Sequence, residues 1–329
     1  MDKKLYMRLK QELTAEHIFQ INNKHGILTV AAELICFMSL FVLLLHTPSL
    51  TWKYWLLEFF AGLSIFRWLV ILHECGHGNL FRQSYLNHLI GYAVSIVCLH
   101  PYEAWRQVHN QHHQWVGVVD RDPTVSALLK LKQSPKLKAL FNWLWWAWLP
   151  IGFVKYVAEV FWLRPWQSTG FESACQLQRM RFSICLTGIP HIILSLMLGI
   201  VPYLTLFAPM LFVFCLWCES VQIPFHAGLS LFLSQQHPKP IPYAEQDAVT
   251  RNLSIPPLFR VLLGYNFYLH LEHHLFPTAP WYQLPIIQQR LRQLNDVDYV
   301  EVEFVSHTFK TRSQRAEVLL VDSLPSIES

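Results

Sequence analysis

Four stretches of nearly continuous apolar residues, 27–45, 52–72, 183–200 and 203–223, punctuate an otherwise mixed chain. Each approaches the roughly 20 residues that a helix needs to cross a bilayer core. Short turns at 47–51 and around 201–202 join them as two hairpins. Those turns carry almost no positive charge, Lys53 excepted. Lys3, Lys4, Arg8, Lys10 and Lys24 precede the first stretch, and the remaining basic residues concentrate between Arg82 and Arg181 and between Lys239 and Arg315. By the positive-inside rule both termini and the long middle segment lie in the cytoplasm. The pattern predicts an all-α integral membrane protein: four transmembrane helices in two hairpins, with a cytoplasmic helical cap. Residues 1–26 form a cytoplasmic N-terminal segment, 27–300 the membrane domain and 301–329 a polar C-terminal tail.

Two further apolar stretches complicate the count. Residues 86–99 are short for a span, and 141–163 are rich in tryptophan (Trp143, Trp145, Trp146, Trp148), which suits a helix lying in the interface. A full crossing by the first would place His109–His113 on the opposite side of the membrane from His73, so both are read as interfacial or re-entrant. Charges within the spans are Glu33, Glu58 and Arg67. Arg67 sits near the predicted cytoplasmic end and is expected to snorkel to the headgroups.

Composition agrees with a lipid environment. Hydrophobic residues make up 53% of the chain and charged residues 15%, against about 25% charged in soluble domains. A formal charge of +4, spread along polar segments, gives no basic patch for nucleic acid. The cysteines Cys36, Cys75, Cys98, Cys175, Cys185, Cys215 and Cys218 lie mostly in apolar runs and outline no disulfide framework. The first 24 residues lack the apolar core of a cleavable signal peptide, so the first apolar stretch is expected to remain in the mature protein.

Seventeen histidines occur in the chain, and eight of them fall in three compact groups. The first, His73 and His77, has the form H-x-x-x-H. The others, His109-His112-His113 and His270-His273-His274, are both H-x-x-H-H. On a helix, residues three and four apart share a face, so each group can aim imidazoles at one point. A lone histidine is more often a surface or core residue than a ligand. Chance alone would supply about 0.05 copies of H-x-x-H-H in a chain of this histidine content, so two copies read as a site. His226 lies just past the fourth span, at the depth where His73 leaves the second, and is the ninth candidate. The topology brings all nine to one membrane face.

Nine imidazoles exceed what one ion can use, and two metals are implied. Imidazole serves zinc, copper, iron and nickel, so ligand type alone does not choose among them. No thiolate set accompanies the histidines, which argues against a structural zinc knot. A nitrogen-rich pair of ions beside a bilayer suits work with dioxygen on an unactivated C–H bond. A metal transporter or histidine-rich receptor is the non-enzymatic alternative, although a transporter should hold its ligands near the bilayer midplane.

The three groups, HECGH, HNQHH and HLEHH, resemble in order and spacing the histidine boxes of the membrane fatty acid desaturase family. Flanking words match as well: Phe276-Pro277 and Pro280-Trp281-Tyr282 after the third box, Thr250-Arg251-Asn252 before it, and Asp120-Arg121-Asp122-Pro123 after the second. The likeness spans about residues 55–294. The short first box, with three residues between its histidines, resembles acyl-lipid more than acyl-CoA desaturases. The resemblance implies two iron ions, dioxygen as co-substrate, a lipid or acyl-chain substrate, and a separate electron donor of ferredoxin or cytochrome b5 type. The ligands it implies are His73, His77, His109, His112, His113, His226, His270, His273 and His274. Gln222, four residues before His226, is a candidate for a water-mediated contact or else a helix-end polar residue. Asn266 is a second such candidate, and Glu74, Glu272 and Asp122 are candidates to orient imidazoles. Desaturation is the expected reaction. Hydroxylation or ketolation by the same boxes is the rival, differing only in the fate of the carbon radical.

Overall fold

The computed structural model describes residues 1–125, 134–167, 173–229 and 231–315. In chain order the first helices are α1 (Lys3–Ala15), α2 (Asn23–His46), α3 (Trp52–His77), α4 (Ser84–Cys98), α5 (Tyr102–Trp115), α6 (Pro135–Trp146) and α7 (Ile151–Val157). A π-helical turn, Ala158–Leu163, continues α7. Then come α8 (Ala174–Leu198), α9 (Ile200–His226), strand β1 (Asn252–Ser254), α10 (Pro257–Gly264), α11 (His270–Leu275), α12 (Leu284–Leu291), β2 (Glu301–Glu303) and α13 (Phe304–Arg312). The chain divides into two compact units. The span unit holds residues 21–106 and 157–218; the cluster unit holds 1–20, 107–156 and the residues from 219 onward.

Four helices, α2, α3, α8 and α9, are long and apolar enough to cross a membrane. α2, α3 and α8 run beyond their apolar stretches at one end or both, and capping side chains set where these three begin. Asn22 accepts a hydrogen bond from the backbone of Lys24 at the start of α2, and Thr51 does the same for Tyr54 at the start of α3. Ser173 and Gln176 form a reciprocal capping box that starts α8 well before residue 183. Gly78, with φ 74°, closes α3 in the left-handed conformation that costs glycine least.

Polar contacts inside the span unit are few and specific. Glu33 of α2 is fully buried, accepts from the Ser64 hydroxyl, and pairs with Arg67 of α3 at 2.7 Å. The expected snorkelling of Arg67 is thus replaced by an ion pair: a buried carboxylate within reach outcompetes the headgroups, because its own burial is tolerable only with a partner. Pro209 cannot donate to the carbonyl of Thr205, and the Tyr54 hydroxyl donates to that carbonyl instead, at 2.9 Å. At Gly62 the backbone of α3 meets α9 so closely that a Cβ would stand 2.6 Å from Val213. The stretch at 86–99 forms α4, whose 15 residues reach about 22 Å, short of a hydrocarbon core of about 30 Å.

In the cluster unit, α1 lays Tyr6, Leu9 and Leu13 against Leu271, Leu275, Phe276 and Ile287. The Tyr6 ring stacks on Phe276 at 5.2 Å and its hydroxyl donates to the Leu275 carbonyl at 3.0 Å. The apolar stretch at 141–163 is divided among α6, α7 and the π-helical turn. Residues 301–312, read from sequence as the start of a polar tail, form β2 and α13. β2 pairs in parallel with β1, Asn252 opposite Glu301. Arg312 is buried, donates to Glu219 at 2.6 Å, and lies over the Trp145 ring at 3.7 Å.

Candidate metal centre

Within the cluster unit, the end of α5 carries His109, His112 and His113, the last residue of α9 is His226, and the short α11 carries His270, His273 and His274. Helical spacing brings the members of each box together, and packing brings the boxes to one another. The ligand nitrogens of His112, His226, His270 and His274 all lie within 4.8 Å of one another. In that set Nε2 of His270 stands 3.1 Å from Nε2 of both His226 and His274. A second set forms beside it: Nε2 of His113 is 3.0 Å from that of His109 and 2.9 Å from that of His273.

These separations fit an occupied site. Two imidazole nitrogens about 2.1 Å from one ion, at right angles, stand about 3.0 Å apart. Buried nitrogens that face one another at this distance need a shared cation or proton.

The far sides of three rings, His112, His226 and His274, are fixed by acceptors, which selects the tautomer leaving Nε2 free to ligate. Nδ1 of His112 donates to Asp122 at 2.8 Å, and Asp122 is itself held by the backbone and hydroxyl of Thr124. Nδ1 of His226 donates to the Val249 carbonyl at 2.8 Å. Nδ1 of His274 donates to Gln246 Oε1 at 3.0 Å, while the Gln246 amide donates to the His113 carbonyl at 2.8 Å. Phe225 stacks on the His270 ring with centroids 3.9 Å apart. Burial, aided by the neighbouring imidazoles, holds His274 well below the ordinary imidazole range, so the ring is neutral with a lone pair to give.

His73 and His77 lie in the last turns of α3, in the span unit, with ring centroids 4.7 Å apart. The His73 ring meets Trp105 edge-on at 5.7 Å, and Glu74 approaches its Nδ1 at 3.3 Å. Gln222 is half-buried on α9 and has no hydrogen-bond partner among the described residues. Asn266, in the left-handed conformation with φ 61°, donates to the Trp281 carbonyl at 3.2 Å. The Glu272 carboxyl touches no imidazole; it accepts from Asn252 at 2.7 Å and from the Tyr299 hydroxyl at 2.8 Å, and burial pushes it up to about 7. Asn252 also accepts from the Leu271 backbone at 2.8 Å, so this network fastens α11 as a body. Gln246 and Tyr299 carry no sequence signal. Asn252 belongs to the Thr-Arg-Asn word before the third box, which marked its segment without revealing its bonds.

Helices able to span a bilayer, together with buried imidazoles converging in groups able to hold a metal, define a histidine-rich membrane protein. A family model described as fatty acid desaturase matches residues 49–304, and the chain belongs to that family. Relatives include a beta-carotene 4-ketolase of Protosiphon botryoides, 27% identical over 76% of this chain and 56% of the relative. A temperature-sensitive sn-2 acyl-lipid omega-3 desaturase (ferredoxin), chloroplastic, of Arabidopsis thaliana is 25% identical over 71% of this chain and 55% of its own length. An omega-6 fatty acid desaturase, chloroplastic, of Spinacia oleracea is 23% identical over 84% and 62%. The chain thus spans little more than half the length of these relatives.

Proposed function

We propose that the chain is an oxygen-dependent di-iron desaturase of acyl lipids. The observation that carries this reading is the convergence of seven buried or half-buried imidazoles of the cluster unit into two adjacent nitrogen sets, in a chain whose family is one of desaturases. His112, His226, His270 and His274 would hold one iron. His109, His113 and His273 would hold the other, and His73 and His77 of the first box are proposed as iron ligands on the family resemblance. Bound iron with dioxygen supplies the oxidising power to break an unactivated C–H bond. In balance, two neighbouring hydrogens leave the acyl chain, dioxygen becomes two waters, and a donor outside the chain supplies two electrons with two protons. A ferredoxin or cytochrome b5 type protein fits that role. The protein's own part is to hold imidazoles neutral, to aim Nε2 of His112, His226 and His274 through a bond at Nδ1, and to keep water from the rings by burial. The spans would pair as two hairpins, with both termini on the cytoplasmic side.

Expression in a host of defined lipid composition, followed by fatty-acid profiling, tests the reading. A product lighter by two hydrogens supports it. The second reading, a hydroxylase or ketolase, is favoured by the ketolase among the relatives and predicts a product that has gained oxygen. A protein that holds exchangeable zinc and leaves lipids unchanged overturns both.

A further inference from the structure

Two helices of the cluster unit each bury an arginine and expose large apolar side chains. In α10 the one charged residue, Arg260, is 9% exposed and donates to Gln288 at 2.8 Å, while Leu258 is 66% and Phe259 51% exposed. α13 shares part of the arrangement: Arg312 is 3% exposed, while Val305 is 56% and Phe309 64% exposed, with Phe304 buried and Lys310 exposed. A helix facing water turns its charge outward and its apolar stripe inward.

The two helices begin side by side. β1 and β2 are parallel, with Ser254 opposite Glu303. α10 and α13 follow these strands directly, so both leave the same end of the pair. α13 in turn joins the tryptophan-rich α6: Phe309 packs on the Trp148 ring at 5.4 Å, and the Trp145 indole donates to the Thr311 carbonyl at 3.1 Å. On α6 Trp143 and Trp146 are 57% and 70% exposed.

The chemistry of these faces selects lipid as their occupant. None of α6, α10 and α13 contains Asp or Glu, while Lys136 and Lys138 open α6 and Lys310 lies beside Phe309. Exposed Trp, Phe and Leu with a lysine fringe, the one flanking acid being Glu303 spent on capping α13, match an acyl and headgroup boundary carrying negative charge. Four helices of the same chain are able to span a bilayer, so such a surface is within reach. We propose that α6, α10 and α13 form a monotopic lipid-docking surface, by which the cluster unit seats itself on an anionic leaflet in addition to the anchorage of the spans. The sequence pattern places only the α6 region in the interface, and this inference does not depend on the reaction catalysed.

The full-length chain in nanodiscs containing phosphatidylglycerol supplies the test. Nitroxide is attached to a cysteine introduced as Leu258→Cys or Phe309→Cys, with exposed Gln289→Cys as the control and the signal of the parent cysteines subtracted. Oxygen collisions at the first two positions should exceed those with a water-soluble nickel complex by about threefold or more, as for a side chain below the headgroups. Gln289→Cys should show the reverse. On the unaltered chain, a lipid-borne diazirine should label peptides covering 257–264 and 304–312. Nickel-accessible labels at both helices, absence of photolabelling there, or spin–spin broadening from a second copy seated on the face would each overturn the proposal.

Discussion

The first and third histidine boxes are held in place by opposite structural means. His73 and His77 ride the last turns of α3, a helix of 26 residues whose register is set by its whole length and closed by Gly78. His270, His273 and His274 sit on α11, which has six residues and is far too short to hold itself. Its orientation is supplied from outside, by Asn252, Tyr299 and Gln246 through hydrogen bonds from distant parts of the cluster unit. Ligands on a long helix are insured by the helix; ligands on a short one depend on every staple.

Five substitutions sharpen this contrast. Removing a ligand tops the scale: His112→Ala or His273→Ala should cut product formation by about a hundredfold or more and lower the metal bound per chain, with membrane insertion retained. Full activity in either variant, measured by product analysis beside metal content, would sink the ligand assignment. Next are the staples of α11. Asn252→Leu leaves Glu272 and the Leu271 N–H short of partners and should cost about 1–3 kcal/mol of stability with a tenfold or greater loss of metal affinity, read by thermal unfolding and metal titration. Gln246→Leu loses two hydrogen bonds at the His113–His274 junction and should weaken metal binding by about tenfold; unchanged affinity would show that burial alone holds those rings. Mildest is Gly78→Ala at the end of α3. A Cβ there meets nothing within 4 Å, so the cost is backbone strain of about 1 kcal/mol, seen as a small drop in unfolding temperature with metal content unaltered.

What could be read from the chain alone follows the same division. Helices long enough to span and histidines three or four apart are local patterns, and they are visible as such. The bonds that orient the rings are not local. Gln246 reaches back to His113, Tyr299 reaches Glu272, and Glu33 meets Arg67 on the next helix. No periodicity announces a partner at such separations. The inward turn of Arg260 and Arg312 was equally hidden, because composition records that an arginine is present and not which way it faces.

Gln246 has one more implication. Its oxygen holds a ring of one nitrogen set while its amide holds the backbone of a ring in the other. A single side chain thereby spans the gap between the two nitrogen sets. On the proposed two-ion reading, filling one set would stiffen the frame of its neighbour and lower the ordering cost of the second ion. A metal titration should then rise as a sigmoid with concentration instead of as two separate saturations.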